Sequence, residues 1–549
     1  MDRPAAAARA VAAAWAGGIA LCTAVTAGAA PPAPTLAFVR SAVNLPATAT
    51  SVRTDRDLDG DGRRDLLAVL QRRVLMFFQR PGGAFPAAPD VEIGGGRPIP
   101  EDYFAVSTVR VGAEPGRRLV LVGRQGLDSL SIAELKARRA PGEAIAPKPL
   151  LELPLGLAPE PELAFVDLAV DLAGDGRESL VIPDGDRLEF FSPDARGRFA
   201  AAGKVNLPSA TFLKAAVAAE PPALGGLFGN AAGGRGGLID AAPRFGARSA
   251  TVRYSLDTMS EPYLICDIDG DRRPDVLTPA TLFRQSANGL FEGTPSAALS
   301  RISRSAGVRD GRLRNSPNLA DFNADGIPDS FRIETVPAKP SPRTDISVFL
   351  GKPAGKPADE APDFTLRTRD FPYTDSLTLG DLDGDGCPDL AMVHVDFQPA
   401  SASSQFKAYM KNGLAGDLRF TLWDKRRGRY PETFAFSHPV NVSYDIFGNR
   451  QLLRCQMAMD SDLDGDGAPD LVLKTGSEEI SVFRNEVKAS RRFAAAPMAV
   501  VSTAPTRFSS LRAEDLDGDG RGDLILTAYQ EGIEDRVIHT FLITRPAQP

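Results

Sequence analysis

One acidic stretch of ten residues recurs along the chain, and it constrains the fold more than any other sequence feature. Each copy places Asp at positions 1, 3, 5 and 9 and Gly at positions 4 and 6, and an apolar run follows it. The four closest copies are DLDGDGRRDL (57–66), DLDGDGCPDL (381–390), DLDGDGAPDL (462–471) and DLDGDGRGDL (515–524).

Three looser copies keep the same internal register. DIDGDRRPDV (267–276) retains all four carboxylates, and DFNADGIPDS (321–330) has Asn323 at position 3, which still offers an oxygen. DLAGDGRESL (171–180) has Ala173 and Ser179 in place of two carboxylates. Asp and Gly are ordinary turn residues, so a single copy would indicate only a surface turn. Seven copies in one register instead predict five full cation sites, one near-full site and one degenerate site.

The residue types in the repeat match a hard cation. Four carboxylates within nine residues repel one another, and two of the copies contain no basic residue to offset them. Ca²⁺ binds six to eight oxygens, and a glycine-bent acidic loop can supply carboxylates together with the carbonyl of position 7. Position 7 varies between Arg, Cys, Ile and Ala, as expected if only its backbone is used. Soft metals prefer His and Cys. We therefore predict about six Ca²⁺ ions.

The N-terminus has the composition of a cleavable signal peptide. Arg3 and Arg9 precede an Ala-rich apolar stretch, and Ala27-Gly28-Ala29 offers a small-x-small cleavage site. We predict a signal peptide at 1–29, a linker at 30–35 and a secreted or periplasmic mature chain. Lipid anchoring at Cys22 is disfavoured because Leu21, the residue before it, is not small. No other apolar run is long enough to cross a bilayer.

Charge and cysteine content exclude some classes of function. Loss of residues 1–29 changes the formal net charge from −7 to −8, since Asp2, Arg3 and Arg9 are removed. Six Ca²⁺ ions would bring it to about +4. The acidity is therefore mostly that of the sites, and no basic stripe indicates a nucleic acid partner. The three remaining cysteines, Cys266, Cys387 and Cys455, are an odd number and are interpreted as structural.

The spacing of the copies predicts repeated sheets. Intervals of 54, 60 and 53 residues indicate a unit of about 55, in the range of propeller repeats. The 114-residue gap fits a decayed copy at VGAEPGRRLVLV (111–122), and the 96-residue gap fits another near Val217 or an insertion at 225–237. Short alternating apolar runs after the copies predict four-stranded blades arranged radially. Eight blades are favoured, with seven or nine as alternatives.

The two ends of the chain fit one blade. After the last acidic copy only two strand-like runs remain, so one strand is missing there. LAFVRSAVNLP (36–46) is predicted to supply it and so to hide sheet edges that an open array would expose.

The stretch DLDGDGxxDL, followed by two strands, resembles the FG-GAP/VCBS repeat family, whose members form the propeller heads of integrin α-chains and occur in many exported bacterial proteins. The resemblance covers residues 36–549 and is stronger to the bacterial VCBS type. It implies that positions 1, 3, 5 and 9, with the carbonyl of position 7, bind Ca²⁺. These residues are Asp57, Asp59, Asp61, Arg63 and Asp65; Asp267, Asp269, Asp271, Arg273 and Asp275; Asp321, Asn323, Asp325, Ile327 and Asp329; Asp381, Asp383, Asp385, Cys387 and Asp389; Asp462, Asp464, Asp466, Ala468 and Asp470; and Asp515, Asp517, Asp519, Arg521 and Asp523.

Catalytic signatures are sparse. The three histidines, His394, His438 and His539, form no HExxH pattern, and no GxSxG elbow occurs. Arg521-Gly522-Asp523 spells the integrin ligand RGD, but Asp523 is position 9 of an acidic copy, so we interpret the match as coincidence. The sequence thus favours a calcium-binding propeller for ligand binding, adhesion or protein interaction. An extracellular carbohydrate-active enzyme, a lyase or hydrolase, is the alternative.

One interval suggests a partner surface. The 81 residues between Asp381 and Asp462 exceed a normal unit, which indicates an insertion around 398–450. It contains FTLWDKRRGRYPETF (420–434), and Trp423 with Arg426, Arg427 and Arg429 is predicted to contact a protein or glycan. The alternative is a strand pair whose Trp packs into the blade.

Overall fold

The computed structural model describes the chain from residue 36 onwards, in segments. These are residues 36–46, 49–112, 114–137, 146–155, 162–184, 187–206, 215–217, 252–254, 264–277, 282–287, 289, 291, 319–336, 343–353, 361–368, 378–395, 414–442, 444–445, 451–452, 456–475, 478–490, 492–503, 508–530 and 536–546. The predicted signal peptide and linker lie outside them.

The described residues form an all-β structure with two short helices, α1 (Ile132–Ala137) and α2 (Val487–Ser490). The first strand, β1 (Leu36–Pro46), pairs with the last one, as described below. Sheet 1 contains β2 (Ala49–Arg56), β3 (Asp65–Leu70), β4 (Arg73–Phe77) and β5 (Val91–Ile93). Sheet 2 contains β6 (Tyr103–Val109), β7 (Arg118–Gly123), β8 (Gly126–Ser131), β9 (Lys148–Glu152) and β10 (Ala164–Phe165), the last parallel to β6.

The middle of the chain continues the same pattern. Sheet 3 contains β11 (Ala169–Val170), β12 (Ser179–Asp184), β13 (Arg187–Pro193) and β14 (Phe199–Asn206). A ribbon of β15 (Ala215–Val217) and β16 (Val252–Tyr254) follows. Sheet 4 contains β17 (Leu264–Cys266), β18 (Asp275–Leu277) and β19 (Leu282–Phe283). Sheet 5 contains β20 (Leu319–Ala320), β21 (Asp329–Val336), β22 (Arg343–Phe349) and β23 (Phe364–Thr368).

Three further sheets complete the described part. Sheet 6 contains β24 (Thr378–Gly380), β25 (Asp389–Val395), β26 (Leu414–Thr421) and β27 (Phe436–Val442). A second ribbon joins β28 (Tyr444–Asp445) to β29 (Gln451–Leu452). Sheet 7 contains β30 (Gln456–Ala458), β31 (Leu471–Lys474), β32 (Glu479–Phe483) and β33 (Ala499–Ser502). Sheet 8 contains β34 (Phe508–Glu514), β35 (Asp523–Gln530), β36 (Arg536–Pro546) and β1.

Each acidic copy occupies the same place in its sheet, the turn between the first and second strands. The decayed copy at 111–122 also lies there, between β6 and β7, so its prediction as a repeat is confirmed. The second strand is buried along its length where apolar residues continue it, as in β3, whose six residues are all buried. A strand in this position has neighbours on both edges and apolar layers on both faces, which is why these runs do not alternate with polar residues.

The predicted pairing of the two chain ends is confirmed. Strand β1 lies antiparallel to β36 from Leu36 opposite Pro546 to Pro46 opposite Arg536. The N-terminal strand therefore covers an edge of the sheet formed by the C-terminal hairpin, which would otherwise expose unpaired backbone groups.

Consecutive sheets contact one another through their acidic turns. Arg64 N donates to Leu516 O at 2.7 Å, which links sheets 1 and 8, and Arg117 N donates to Leu58 O at 2.8 Å, which links sheets 2 and 1. Gly60 has φ +84° in the first turn, and a Cβ there would lie 2.3 Å from Gly116 N. This close approach explains why position 4 of that turn is glycine.

Part of the interval predicted as an insertion, around 398–450, belongs to a regular sheet, and the ribbon of β28 and β29 follows it. Residues 414–421 and 436–442 are the third and fourth strands of sheet 6, with the regular antiparallel register. Residues 396–413 of the same interval lie outside the described part. Among the described residues, no helix has the length and apolar character needed to span a membrane.

Candidate cation-binding loops

In every acidic turn the carboxylates at positions 1 and 5 accept hydrogen bonds from backbone N–H groups of the same turn. In all seven turns the N–H of position 6 donates to Oδ2 of position 1, at 2.6–3.0 Å. The N–H of position 7 likewise donates to Oδ1 of position 5, at 2.8–3.0 Å. Positions 4 and 6 have positive φ, including the non-glycine residues Ala324 and Arg272. Glycine predominates there because other residues are strained in this region.

The carboxylate at position 9 clamps the turn to its own sheet. In sheet 8, Asp523 Oδ2 accepts from Leu516 N at 2.9 Å, and Oδ1 accepts from Thr544 N on β36 at 2.8 Å. The same pair of bonds occurs at the five other position-9 carboxylates, Asp65, Asp275, Asp329, Asp389 and Asp470. Burial raises the pKa of Asp523 to about 7 despite these two bonds. Position 9 is therefore a structural hydrogen-bond acceptor as well as a predicted ligand.

The carboxylates at position 3 are buried and incompletely satisfied. The side chains of Asp59, Asp269 and Asp517 are 4 %, 3 % and 7 % exposed. Oδ1 of Asp269 and Oδ1 of Asp517 have no hydrogen-bond partner among the described residues. Burial and the neighbouring Asp271 raise the pKa of Asp269. A buried carboxylate oxygen without a donor is costly, and a cation in the turn would remove that cost.

Five of the turns bring three carboxylates close enough to share one ion. In each group one ligand atom per residue lies within 4.8 Å of the others. The groups are Asp57, Asp59 and Asp61; Asp267, Asp269 and Asp271; Asp381, Asp383 and Asp385; Asp462, Asp464 and Asp470; and Asp515, Asp517 and Asp523. In the sixth turn Asn323 replaces the acid at position 3, and its Nδ2 donates to Asp325 Oδ2 at 3.0 Å.

This donor set fits Ca²⁺. It is made of oxygens, its position-3 carboxylates are buried with unpartnered oxygens, and the turns contain no His. Positions 1 and 3, with position 5 in three of the turns and position 9 in two, would hold the ion.

Position 7 has more functions than its variability predicted. Arg63 Nε donates to Gln79 O at 3.3 Å, and Arg521 Nη1 donates to Asp464 O of the neighbouring turn at 2.8 Å. Ile327 and Cys387 are 7 % and 0 % exposed and pack in the interior. The side chain of position 7 therefore has structural contacts of its own, within the same sheet for Arg63 and with the neighbouring turn for Arg521. Binding of the ion by its carbonyl stays a prediction.

The prediction of an exposed Trp423 is also wrong. Trp423 is 5 % exposed and packs with Phe322, Phe364 and Tyr430, whose ring centroids lie 6.3, 5.5 and 5.0 Å away. Its backbone N–H donates to Asp389 Oδ1 at 2.9 Å. Trp423 thus lies just after β26, where its backbone binds the position-9 carboxylate of sheet 6. This is the alternative that the sequence left open, in which the Trp packs into the blade.

The basic residues beside Trp423 do lie at the surface. Asp424 and Arg429 form an antiparallel bridge that closes a tight turn, and Arg426, Arg427 and Arg429 are exposed on it. Arg427 Nε lies 3.5 Å from Asp424 Oδ2. Phe434, 48 % exposed, lies nearby in the chain with the Arg419 guanidinium 5.0 Å from its ring centroid. We call the surface of Arg426, Arg427 and Arg429 the basic tip.

Several other residues singled out in the sequence are buried. Asp523 of the RGD tripeptide is 0 % exposed and holds two backbone N–H groups, so it is committed to its own sheet. Burial raises the pKa of Cys387 to about 11, which leaves it a structural thiol. The side chain of Cys266, and all of Cys455, lie outside the described part. His539 is 1 % exposed, and its Nδ1 lies 3.0 Å from Thr527 Oγ1.

Comparison with known proteins supports the repeat assignment. A sequence model described as the FG-GAP-like repeat matches residues 462–526, which contain the acidic turns of sheets 7 and 8. Residues 462–526 are thus similar to an FG-GAP-like repeat. The resemblance to this family is therefore confirmed, whereas the closer likeness to the VCBS type stays a prediction.

The other comparisons add little. No curated protein sequence matches the chain. Among solved structures, an Agrocybe aegerita lectin that recognises non-reducing terminal N-acetylglucosamine is 12 % identical, with 93 % of this chain and 86 % of the lectin covered and a TM-score of 0.29. At that TM-score the similarity supports no inference about a ligand.

Proposed function

We propose that the chain is an exported, calcium-stabilised β-propeller that binds an anionic partner, a protein or a glycan. The observation that carries this proposal is the set of repeated turns whose buried position-3 carboxylates retain oxygens without a donor. This feature occurs at four of the turns, at Asp269, Asp383, Asp464 and Asp517. The full turns are more acidic than turn formation requires, because the degenerate turn at 171–180 folds without acids at positions 3 and 9.

Contacts between consecutive sheets favour a closed ring of eight blades. Sheets 3 and 4 meet where Phe190 stacks on Phe291 at 4.3 Å, and sheets 7 and 8 meet where Gly522 N donates to Asp462 O at 2.6 Å. Sheets 4 and 5 meet at Ile327, 2.6 Å from a Cβ placed on Gly270. Buried clusters join sheets 5 with 6 and 6 with 7, and Glu178 binds Arg117 across sheets 3 and 2. Together with the link between sheets 8 and 1, these contacts support the proposal that the sheets form a closed ring.

Calcium binding is tested by thermal unfolding of the full mature chain in EDTA and in millimolar Ca²⁺. We expect a higher melting temperature in Ca²⁺, because an ion that binds only the folded state stabilises it. Mg²⁺ at the same concentration should stabilise less, since it demands a rigid octahedral site. Identical melting curves in EDTA and Ca²⁺ would exclude calcium as the bound cation.

The basic tip is the proposed contact surface. Three exposed arginines on a rigid hairpin attract anionic groups, and their attraction weakens as salt rises. We expect the triple change of Arg426, Arg427 and Arg429 to Ala to weaken binding to a sulfated glycan array or an acidic protein array. A matched control changes Arg40, Arg97 and Arg196, which are exposed elsewhere, to Ala. Equal binding by both variants would remove the basic tip from the proposal.

A cluster of charged residues outside the turns, formed by Arg53, Arg56, Asp55 and Asp167, offers no support for the alternative of a carbohydrate-active enzyme. Arg53 contacts both Asp55 and Asp167, and Arg56 contacts Asp167 as well. These arginines outweigh the effect of burial and lower the pKa of Asp55. A general acid needs a raised pKa, so this paired cluster is better explained as a structural network.

A further inference from the structure

Long cationic side chains from other elements reach the position-3 carboxylates of four turns. In chain order the contacts are Lys136 with Asp59, Arg284 with Asp269 (Nε to Oδ2, 3.2 Å), Arg484 with Asp464 (Nη2 to Oδ2, 2.5 Å) and Arg545 with Asp517 (Nη2 to Oδ2, 2.5 Å). We call these four side chains the cationic arms. The arms are 28–45 % exposed, whereas the carboxylates that they contact are 3–7 % exposed. Each arm therefore extends from the surface to a buried charge.

The arms reach the same atom from different places in the sequence. Three of them are neighbours of the residue whose N–H donates to position 9: Arg284 precedes Gln285, Arg484 precedes Asn485, and Arg545 follows Thr544. Lys136 instead comes from α1 of sheet 2, and its Nζ lies 4.6 Å from the Phe78 ring centroid. Side chains from two different structural positions therefore contact the same carboxylate. This indicates that the charge of position 3, more than the local backbone, determines where these Lys and Arg side chains lie.

We propose that the cationic arms are built-in counter-ions that compete with Ca²⁺ for the position-3 carboxylates and so lower the calcium affinity of these turns. This inference rests on the proposed calcium function. A carboxylate at 3–7 % exposure needs a charged partner whether or not an ion is bound. When Ca²⁺ takes position 3 as a ligand, its two positive charges repel the arm, and the ion pair must weaken or break. The cost of displacing the arm makes the net free energy of calcium binding less favourable.

The two remaining turns differ from these four at position 3. In the turn of sheet 5, Asn323 is neutral and its own amide donates to Asp325, so no buried charge remains there to be compensated. In the turn of sheet 6, Lys425 Nζ contacts the Asp385 carbonyl and lies 3.9 Å from Asp385 Oδ2, at position 5 instead of position 3. We therefore expect the turns to differ in calcium affinity, and the four turns with arms to need the highest calcium concentration for half-saturation.

The test compares calcium binding by a four-arm variant and a four-charge control. The variant carries Lys136→Gln, Arg284→Gln, Arg484→Gln and Arg545→Gln. The control carries Arg40→Gln, Arg97→Gln, Arg196→Gln and Arg536→Gln, which remove the same charge from exposed sites away from the turns. Equilibrium dialysis of the full mature chains against Ca²⁺ at constant ionic strength should show half-saturation of the variant at about 3- to 10-fold less calcium, the range expected for loss of one competing ion pair per site. The control should change by less than about 2-fold.

Melting temperature gives a second readout. In EDTA the four-arm variant should melt below the control, because its position-3 carboxylates have lost their partners, and its rise in millimolar Ca²⁺ should be larger than that of the wild type. If the variant does not fold in EDTA, Arg545→Gln and Arg545→Lys are dialysed instead, and only the Gln change should increase affinity.

The outcomes separate this inference from the proposed function. Unchanged or weaker calcium binding by the four-arm variant, with normal binding by the wild type, would show that the arms support the ligands instead of competing, and would overturn the inference alone. Absence of calcium binding in the wild type and both variants would overturn the proposed calcium function together with the inference.

Discussion

The turn of sheet 8 (515–524) and the turn of sheet 3 (171–180) fold alike although they differ in charge. Asp515 and Asp171 both accept from the N–H groups of positions 4 and 6. Asp519 and Asp175 both accept from position 7. Positions 3 and 9 are acids in sheet 8 and Ala173 and Ser179 in sheet 3, and position 8 is Gly522 in sheet 8 and Glu178 in sheet 3. The shape of the turn therefore needs only positions 1, 4, 5 and 6.

The difference shows what the other two acids contribute. Asp517 is buried under Arg545, whereas Ala173 is exposed. Asp523 holds two backbone N–H groups, whereas Ser179 Oγ lies 3.0 Å from Ser192 Oγ across the hairpin. Position 3 thus places negative charge inside the turn, and position 9 ties the turn to the third strand. In sheet 3 the turn forms without these two acids, and a pair of hydroxyl groups stands where the clamp lies in sheet 8.

The largest expected effect comes from removing the clamp. Asp523→Ala would leave the N–H groups of Leu516 and Thr544 buried without an acceptor, at a cost of about 1–3 kcal/mol for each group. Ser179→Ala removes one hydrogen bond between hydroxyl groups and should cost about 1 kcal/mol. Urea unfolding of both variants in EDTA measures the two losses. Equal losses would show that Asp523 is not the stronger clamp.

The sequence predicted the repeated turns and the pairing of the chain ends but not the tertiary connections of the turns. The spacing of Asp and Gly defined the turns, and the missing last strand predicted the pairing of β1 with β36. The first feature is local in sequence, and the second follows because the last repeat has one strand too few. The burial of Trp423 could not be derived, since it depends on Phe322 and Phe364, contributed by the adjacent sheet.

The cationic arms were likewise missed by sequence analysis. Lys136 and Asp59 lie 77 residues apart, and the local sequence around Lys136 contains no acidic turn. A weak signal exists for the other three, since Arg284, Arg484 and Arg545 each end or follow the third strand after a turn. That regularity becomes visible only when the strand ends are known.

A smaller effect is expected from acid, because the hairpins behind the two turns differ in titratable content. In sheet 8 burial, with a further contribution from the positive charge of Arg512, lowers the pKa of His539 to about 4. The third strand of sheet 3 instead buries Leu188 and Phe190. Because the folded protein binds this proton less readily than the unfolded chain, His539 contributes stability above about pH 6.5 that is lost as the pH falls towards 4.

We therefore expect His539→Gln to reduce the difference in unfolding free energy between pH 7 and pH 4.5 by on the order of 2 kcal/mol. Urea unfolding at the two pH values, in EDTA to exclude calcium linkage, measures it. The same pH dependence in the wild type and the variant would show that His539 is not a source of the acid sensitivity of sheet 8.

The smallest expected effect distinguishes acids that are proposed to bind calcium from acids that only hold the shape of the turn. Asp383→Ala removes the position-3 acid from a full site, and Asp383 Oδ1 has no hydrogen-bond partner among the described residues. Asp175→Ala changes the degenerate turn, where Asp175 accepts from Arg177 but has no acid at positions 3 and 9 beside it. One lost site should reduce calcium-linked stability by about 1.4 kcal/mol at a calcium concentration ten times the dissociation constant. Unfolding of each variant in EDTA and in Ca²⁺ gives the linked part as a difference, which cancels any loss of turn geometry common to both conditions. Asp383→Ala should lose this linked part, and Asp175→Ala should retain it. Equal calcium-linked losses in the two variants would mean that the turn of sheet 3 also binds the ion, with oxygens other than those of positions 3 and 9.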